Sequence, residues 1–298
     1  MLSGLPHGGA GWLAFAAFWS LLFLLAAAEL SRPLHEAREE PAARIPGNVA
    51  LGLISAALGV ALPLSTVLPA AWAARHGVGL LNRVALPTVA VIVATVLLRN
   101  LATWLVHRAS HAVPLFWRAH RVHHGDMRLD LSTGFRNHPL ELAYVVPWLA
   151  AVTIALGLDP ATLAAYEAVA IGFSLWTHAN LRLPAALDAK LRLVLVTPAM
   201  HHVHHSSRRA ETDSNYGDVF SLWDRLFGTY RHLPEPELKA TRFGLGDGYD
   251  AGASSFLSQL AAPFHGGASE ARQERGEVGA ERLESIAAFH DNEGRQSG

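Results

Sequence analysis

The 298-residue sequence contains no cysteine. Disulfides, thiolate zinc sites, iron–sulfur clusters and cysteine nucleophiles are therefore excluded together, and any bound metal must take nitrogen and oxygen ligands. Charge is scarce as well. Asp, Glu, Lys and Arg make up 16% of the residues, against about 25% in soluble domains. The formal net charge of −1 offers no basic excess for nucleic acid. Hydrophobic residues account for 51% of the chain, a composition that leans toward a membrane.

Five apolar stretches approach the roughly 20 residues that a bilayer-spanning helix needs. The first, residues 11–30, is too long for a signal-peptide core and lacks a basic leader, so it reads as a retained helix. The second, residues 48–74, contains Pro63 and Pro69 and is expected to kink or end near Pro69. The third, residues 84–106, leads straight into His107. The fourth and fifth, 140–158 and 161–177, are separated only by Asp159 and Pro160 and read as a tight helical hairpin that crosses the bilayer or dips in and returns. Arg32, Arg38 and Arg44 follow the first stretch, Arg75 and Arg83 the second, and Arg108, Arg118, Arg121, Arg128 and Arg136 the third. Basic residues favour the cytoplasmic side, so the N-terminus is expected outside and the long polar segments in the cytoplasm. Short loops and the lack of a targeting signal suggest a bacterial inner membrane.

Histidine is what the chain has in excess. Eleven of its seventeen histidines lie between His107 and His205, nine of them in three boxes: His107 and His111; His120, His123 and His124; His201, His202, His204 and His205. Single His138 and His178 lie between the second and third boxes. On a helix, positions i, i+3 and i+4 share a face, so each box aims two or three imidazoles at one point. Neutral imidazole is the commonest metal ligand, and burying so many unpaired ones would be costly. The three boxes supply eight nitrogens, His201, His204 and His205 being selected in the third, and His138 and His178 could raise the number to ten. One metal needs three to five protein ligands, so the set suits two metals. An all-nitrogen set suits iron, copper, zinc or nickel. His107 and His178 lie where apolar stretches end, which places the metals at the membrane boundary, where a lipid chain and dioxygen can meet.

Other polar residues have two readings each. His202 faces away from the metals or supports a ligand. Asp224, Glu141 and Asn180 could orient ligand imidazoles, or cap helices and pair with neighbours. Trp104, Trp117, Trp148, Trp176 and Trp223 read as interfacial anchors, and Arg208 and Arg209 as a solvated pair. His7, His35, His76, His232, His265 and His290 read as solvated and without function. Three units are expected: N-terminal membrane helices over 1–79, a catalytic domain over 80–235, and a tail over 236–298 that is largely disordered after about 265. The fold class is all-α, a polytopic membrane protein with a cytoplasmic helical cap carrying a dinuclear histidine site.

The order of the boxes resembles the fatty acid hydroxylase and sterol desaturase superfamily. Residues 135–141, Phe-Arg-Asn-His-Pro-Leu-Glu, are similar to its Arg-x-His-Pro-x-Glu element, and Thr177–Asn180 to its histidine–asparagine element. Thr197–Met200 leads into the third box as in that family, and Asn215–Gly217 and Trp223–Tyr230 resemble its C-terminal signature. The resemblance covers about residues 80–232. It implies a membrane-embedded, non-haem di-iron enzyme that hydroxylates or desaturates a lipid with dioxygen. The ligands it implies are His107, His111, His120, His123, His124, His178, His201, His204 and His205, with His138 a tenth candidate. Zinc can replace iron in purified protein. No fused redox domain is visible, so a ferredoxin, cytochrome or reductase would supply the electrons. A histidine-rich membrane metal transporter or store is the competing class. Its histidines would lie in mobile loops or along a pore rather than in helically spaced boxes. A bis-histidine haem protein needs one facing pair, and a zinc hydrolase of the His-Glu-x-x-His type lacks its motif here.

Overall fold

The computed structural model describes residues 9–36, 43–62, 65–245 and 255–264. His7, Arg38, Pro63, His265, His290 and the polar stretch from residue 266 lie outside the described residues. Among those described, the chain is all-α. It has no strand, only isolated bridges pairing Pro33 with Leu181 and Leu195 with Phe220.

The first helix, α1 (Gly9–Ser31), has Glu29 as its one charged residue. The Glu29 carboxylate accepts the backbone N–H groups of Leu131 and Asn180 at 2.9 and 2.6 Å, which fastens α1 to two distant loops. The expected second span is broken into α2 (Arg44–Ala61) and α3 (Val67–Arg75). Pro69 is the third residue of α3, where helical N–H groups have no intrahelical partner anyway, so it opens a helix instead of kinking one. Next come α4 (Thr88–Ala112) and α5 (Pro114–His124). At 1.5 Å per residue α4 is about 37 Å long, longer than the roughly 30 Å hydrocarbon layer, so the helix continues past His107 to carry His111.

The connection between α6 (Leu142–Leu156) and α7 (Pro160–His178) is tight. Gly157, at φ 66°, ends α6 in the left-handed conformation that glycine tolerates. Asp159 caps α7 by accepting Thr162 N–H at 2.8 Å, with Pro160 in the first helical position. The two helices do not form the expected packed hairpin, however, because each packs against both α3 and α4. Among the described residues, four segments are long and apolar enough to cross a membrane: Gly11–Ser31, Arg44–Ala61, Thr88–Ala112 and Pro139–Leu156. The expected fifth, within α7, is not among them, and it carries Glu167.

Among the described residues, short helices follow: α8 (Ala185–Leu191), α9 (Pro198–His204), α10 (Arg209–Thr212), α11 (Leu222–Leu226), α12 (Glu235–Ala240) and α13 (Phe256–Ala261). Helix α12 packs on α9 and α13 on α2. The described residues up to Ala262 form one unit, with no boundary near residue 79. Buried polar bonds explain why. Arg44 of α2 pairs with the Asp126 carboxylate at 2.9 Å, and Asn48 and Thr133 donate to the same carboxylate at 2.9 Å each. This knot anchors the loop that leaves α5.

Candidate metal centre

Two groups of buried imidazoles form at the end of α4. His107 and His111, one turn apart on α4, meet His120 and His124, one turn apart on α5, and His204 of α9. Their nearest ring nitrogens all lie within 4.8 Å of one another. The outward nitrogens decide the tautomers. His107 Nδ1–H donates to the Tyr216 carbonyl at 2.8 Å, and His204 Nδ1–H to the Ser214 carbonyl at 2.7 Å. His120 Nδ1 lies 2.9 Å from the Glu141 carboxylate, and His111 Nδ1 3.4 Å from that of Asp213. A carbonyl only accepts, so the proton of His107 and of His204 is on Nδ1 and the Nε2 lone pair faces inward. The Nε2 atoms of His107, His111, His120, His124 and His204 are buried and have no hydrogen-bond partner.

The second group joins His123 of α5, His178 at the end of α7, His201 of α9 and His205. His178 Nδ1–H donates to the Ser174 carbonyl at 2.6 Å, which leaves its Nε2 as a bare lone pair. That atom lies 3.0 Å from Nε2 of both His123 and His201, and His201 Nε2 lies 3.2 Å from Nε2 of His205. Shared protons can satisfy only some of these contacts. A cation with nitrogen bonds of about 2.1 Å keeps its donors about 3 Å apart, so the residues fit a metal. The groups share a wall, with the rings of His124 and His205 stacked at 4.5 Å. Burial pushes the imidazole of His204 down to about 3, and those of His123, His124, His201 and His205 well below their usual range. The rings are thus neutral near pH 7, the state that binds metal.

Nine of the ten histidines named from sequence are gathered in this way, but His138 is not. Its Nδ1 accepts Leu140 N–H at 3.1 Å and its Nε2–H donates to the Leu260 carbonyl at 3.2 Å. Both nitrogens are therefore used in capping a turn, and none is left for a metal. Glu141 reaches the site as the partner of His120, while its other oxygen accepts the His138 N–H at 3.2 Å. Asp224 touches no imidazole. It accepts from Trp104 Nε1 and the backbone N–H groups of Tyr216 and Gly217, each at 2.9 Å, and so fixes the carbonyl that orients His107. Asn180 likewise meets no ligand ring, its side chain binding the backbone of Leu34 and His35. His202 Nε2–H donates to the His178 carbonyl at 3.3 Å, and its Nδ1 lies 3.0 Å from His35 Nε2. His35 is half-buried and stacked on His202, not solvated.

The sequence reading missed Ser174, Ser214 and Tyr216, which act through backbone carbonyls, and Asp213. One signal was present. Asn215 has φ 52°, a conformation in which asparagine is enriched. Its side chain donates to the carbonyls of Met200 and Arg231 at 3.0 and 2.8 Å and accepts Arg231 N–H at 2.8 Å. The turn it enforces points the carbonyls on either side of it at His204 and His107.

Residues 92–229 match the fatty acid hydroxylase family. The chain is 31% identical over 139 residues to the alkylglycerol monooxygenase of Homo sapiens, which is 47% of this chain and 29% of that protein. It is 30% identical over 173 residues to an ornithine lipid hydroxylase of Rhizobium tropici, 58% of this chain and 50% of the relative. It is also 30% identical over 148 residues to a delta(7)-sterol 5(6)-desaturase of Aspergillus fumigatus, 47% of this chain and 38% of the relative. The chain thus matches half or less of the length of these relatives. No solved structure matches it significantly. The matched segment contains all nine clustered imidazoles and the carbonyls and carboxylates that orient them. Residues 92–229 thus carry a fatty acid hydroxylase domain, and the relatives that share it are an alkylglycerol monooxygenase, an ornithine lipid hydroxylase and a sterol desaturase.

Proposed function

We propose that the chain is a membrane-bound, non-haem di-iron oxygenase that hydroxylates a lipid C–H bond with dioxygen and two electrons from a separate donor protein. The observation that carries this reading is the pair of adjoining, buried, all-imidazole clusters. Iron bound there would supply the oxidising power that an unactivated C–H bond requires. His107, His111, His120, His124 and His204 would hold one ion, and His123, His178, His201 and His205 the other. Glu141 and the carbonyls of Ser174, Ser214 and Tyr216 keep the protons of their imidazoles on Nδ1 and hold the rings in place. Burial excludes water from the inward nitrogens.

The lipid class of substrate is supported by the names of the relatives, which act on alkylglycerols, ornithine lipids and sterols, and by the position of the site at the end of an apolar helix. Desaturation begins with the same hydrogen abstraction, and placement of the substrate chain selects the outcome. A ferredoxin, cytochrome or reductase would deliver electrons from the cytoplasmic face of a bacterial inner membrane, the side that the basic loops favour. The test is metal content of detergent-purified protein grown with ample iron, followed by oxygen uptake with reductant and lipid. About two irons per chain and lipid-dependent uptake are expected. Well-folded protein that holds no metal would overturn the reading.

A further inference from the structure

The connection between α8 and α9 and the short helix α11 turn large apolar side chains outward. Leu193 and Val194 of the connection are 63% and 59% exposed, and Leu226 and Phe227 at the end of α11 are 65% and 51% exposed. Two contacts fix the depth at which they lie. The Phe227 ring stacks on that of Trp104 in α4 at 4.7 Å. Trp104 is about 24 Å from the start of α4 at the helical rise, and so falls inside a hydrocarbon layer of roughly 30 Å. Leu195, next to Val194, lines an apolar groove of about 390 Å³ together with Leu21 of α1, and Leu21 stands midway along the membrane-length segment Gly11–Ser31.

The polar groups here are arranged as lipid demands. In hydrocarbon a backbone N–H or C=O needs a partner within the protein. The N–H groups of Leu193, Val194 and Leu195 donate to the carbonyls of Lys190, Leu191 and Leu191 at 3.3, 3.0 and 2.8 Å, and the Val194 carbonyl accepts Ser221 N–H at 2.9 Å. The neighbouring arginines fold back on the protein. Arg225 donates to the Arg192 carbonyl at 2.7 Å with its guanidinium 3.9 Å from the centre of the Tyr230 ring, and Arg192 pairs with Asp188 at 3.1 Å. We infer, on the membrane-spanning reading of α1 and α4 and whatever metal the chain holds, that residues 193–195 and α11 form a wedge seated in the bilayer. It lies in the leaflet where α4 ends, with Leu193, Val194, Leu226 and Phe227 against acyl chains. Exposed apolar patches mark protein or membrane contacts, and acyl chains are the occupant because the patch lies at their depth, beside helices that cross them. Thr197 ends the same connection and caps α9 by accepting Met200 N–H at 3.3 Å. The wedge therefore sets the level at which α9 holds its imidazoles relative to the membrane.

The absence of cysteine allows single nitroxide labels on the metal-loaded full chain in phosphatidylcholine liposomes. Val194→Cys and Leu226→Cys carry the label on the wedge. Leu53→Cys, exposed on α2, is the lipid-facing control, and Glu237→Cys, exposed on α12, the water-facing one. Collisions with dioxygen, which concentrates in lipid, are compared with collisions with a neutral nickel chelate, which stays in water. The logarithm of the oxygen-to-chelate ratio should be positive at 194, 226 and 53 and negative at 237. A negative value at 194 or 226 with a positive one at 53 would overturn the wedge alone. Few collisions with either reagent at 194 and 226 would assign the face to a protein partner and overturn it too. A negative value at 53 as well would sink the membrane reading beneath it. Metal content of each variant reports misfolding, and Leu193→Cys and Phe227→Cys replace any position that fails. Lipid-facing labels on protein that holds no metal would leave the wedge standing and sink the di-iron reading.

Discussion

His138 and Glu141 are three residues apart and have opposite fates. The imidazole spends both nitrogens on the backbone of Leu140 and Leu260, whereas the carboxylate holds His120. His138→Ala should therefore leave the metal stoichiometry unchanged and cost about 1 kcal/mol of stability through its lost hydrogen bonds. A fall in bound metal would restore His138 as a ligand. Glu141→Ala should weaken metal binding about 10- to 100-fold, as loss of a partner to a ligand imidazole does, and Glu141→Gln, which keeps an acceptor, should recover much of it. Metal content after dialysis against graded chelator reads both, and equal retention by Glu141→Ala and wild type would refute the orienting role. The site was legible at this scale wherever helical spacing did the work. His107 with His111 and His120 with His124 face one way because four residues nearly complete a turn. The division between clusters was less legible: His123 and His124 are adjacent on α5 yet serve different groups, since neighbouring residues diverge by about 100° around a helix. Carbonyl partners leave no mark in residue identity, so Ser174, Ser214 and Tyr216 could not be read.

Among the elements, α3, α4 and α7 meet at an ion pair whose arginine is buried and whose carboxylate is half-buried. Arg99 Nε and Nη2 reach the two Glu167 oxygens at 2.9 and 3.1 Å, and Thr66 donates to the same carboxylate at 2.8 Å. Removing one partner strands a buried charge and costs about 3 kcal/mol, whereas an apolar pair of similar volume is close to neutral. Glu167→Leu alone should lower the melting temperature clearly, and Arg99→Leu with Glu167→Leu should recover most of the loss. A double variant no more stable than the single would show that the pair contributes through its charge itself. Apolar runs revealed α1, α4 and α6 because burial in lipid demands length and hydrophobicity. They overstated α7, whose polar residues pair within the protein. The ties from Glu29 and Arg44 to loops some 80 to 150 residues away have no local pattern, which is why the N-terminal helices read as a separate unit.

In the molecule as a whole, nine imidazoles, eight from α4, α5, α7 and α9 and His205 just past α9, converge on a centre that also joins the loops bearing Ser214 and Tyr216. Without metal, their buried inward nitrogens have no adequate partner, a state that costs about 1–3 kcal/mol for each unsatisfied group. The metals should therefore act as structural cross-links between helices far apart in sequence, quite apart from chemistry. A ligand at 1,000 times its dissociation constant stabilises the folded state by about 4 kcal/mol, and 1 kcal/mol shifts the melting point by about 2–4 °C in a chain of this size class. Chelation should then lower the melting temperature in detergent by roughly 10 °C or more, with iron or zinc restoring it. His201→Ala, which removes one ligand of the second group, should show a reduced response to chelator because one ion is already weakened. An unchanged melting curve after verified metal removal would mean that the helices hold the imidazoles in place unaided, and that the clusters contribute nothing to the stability of the fold.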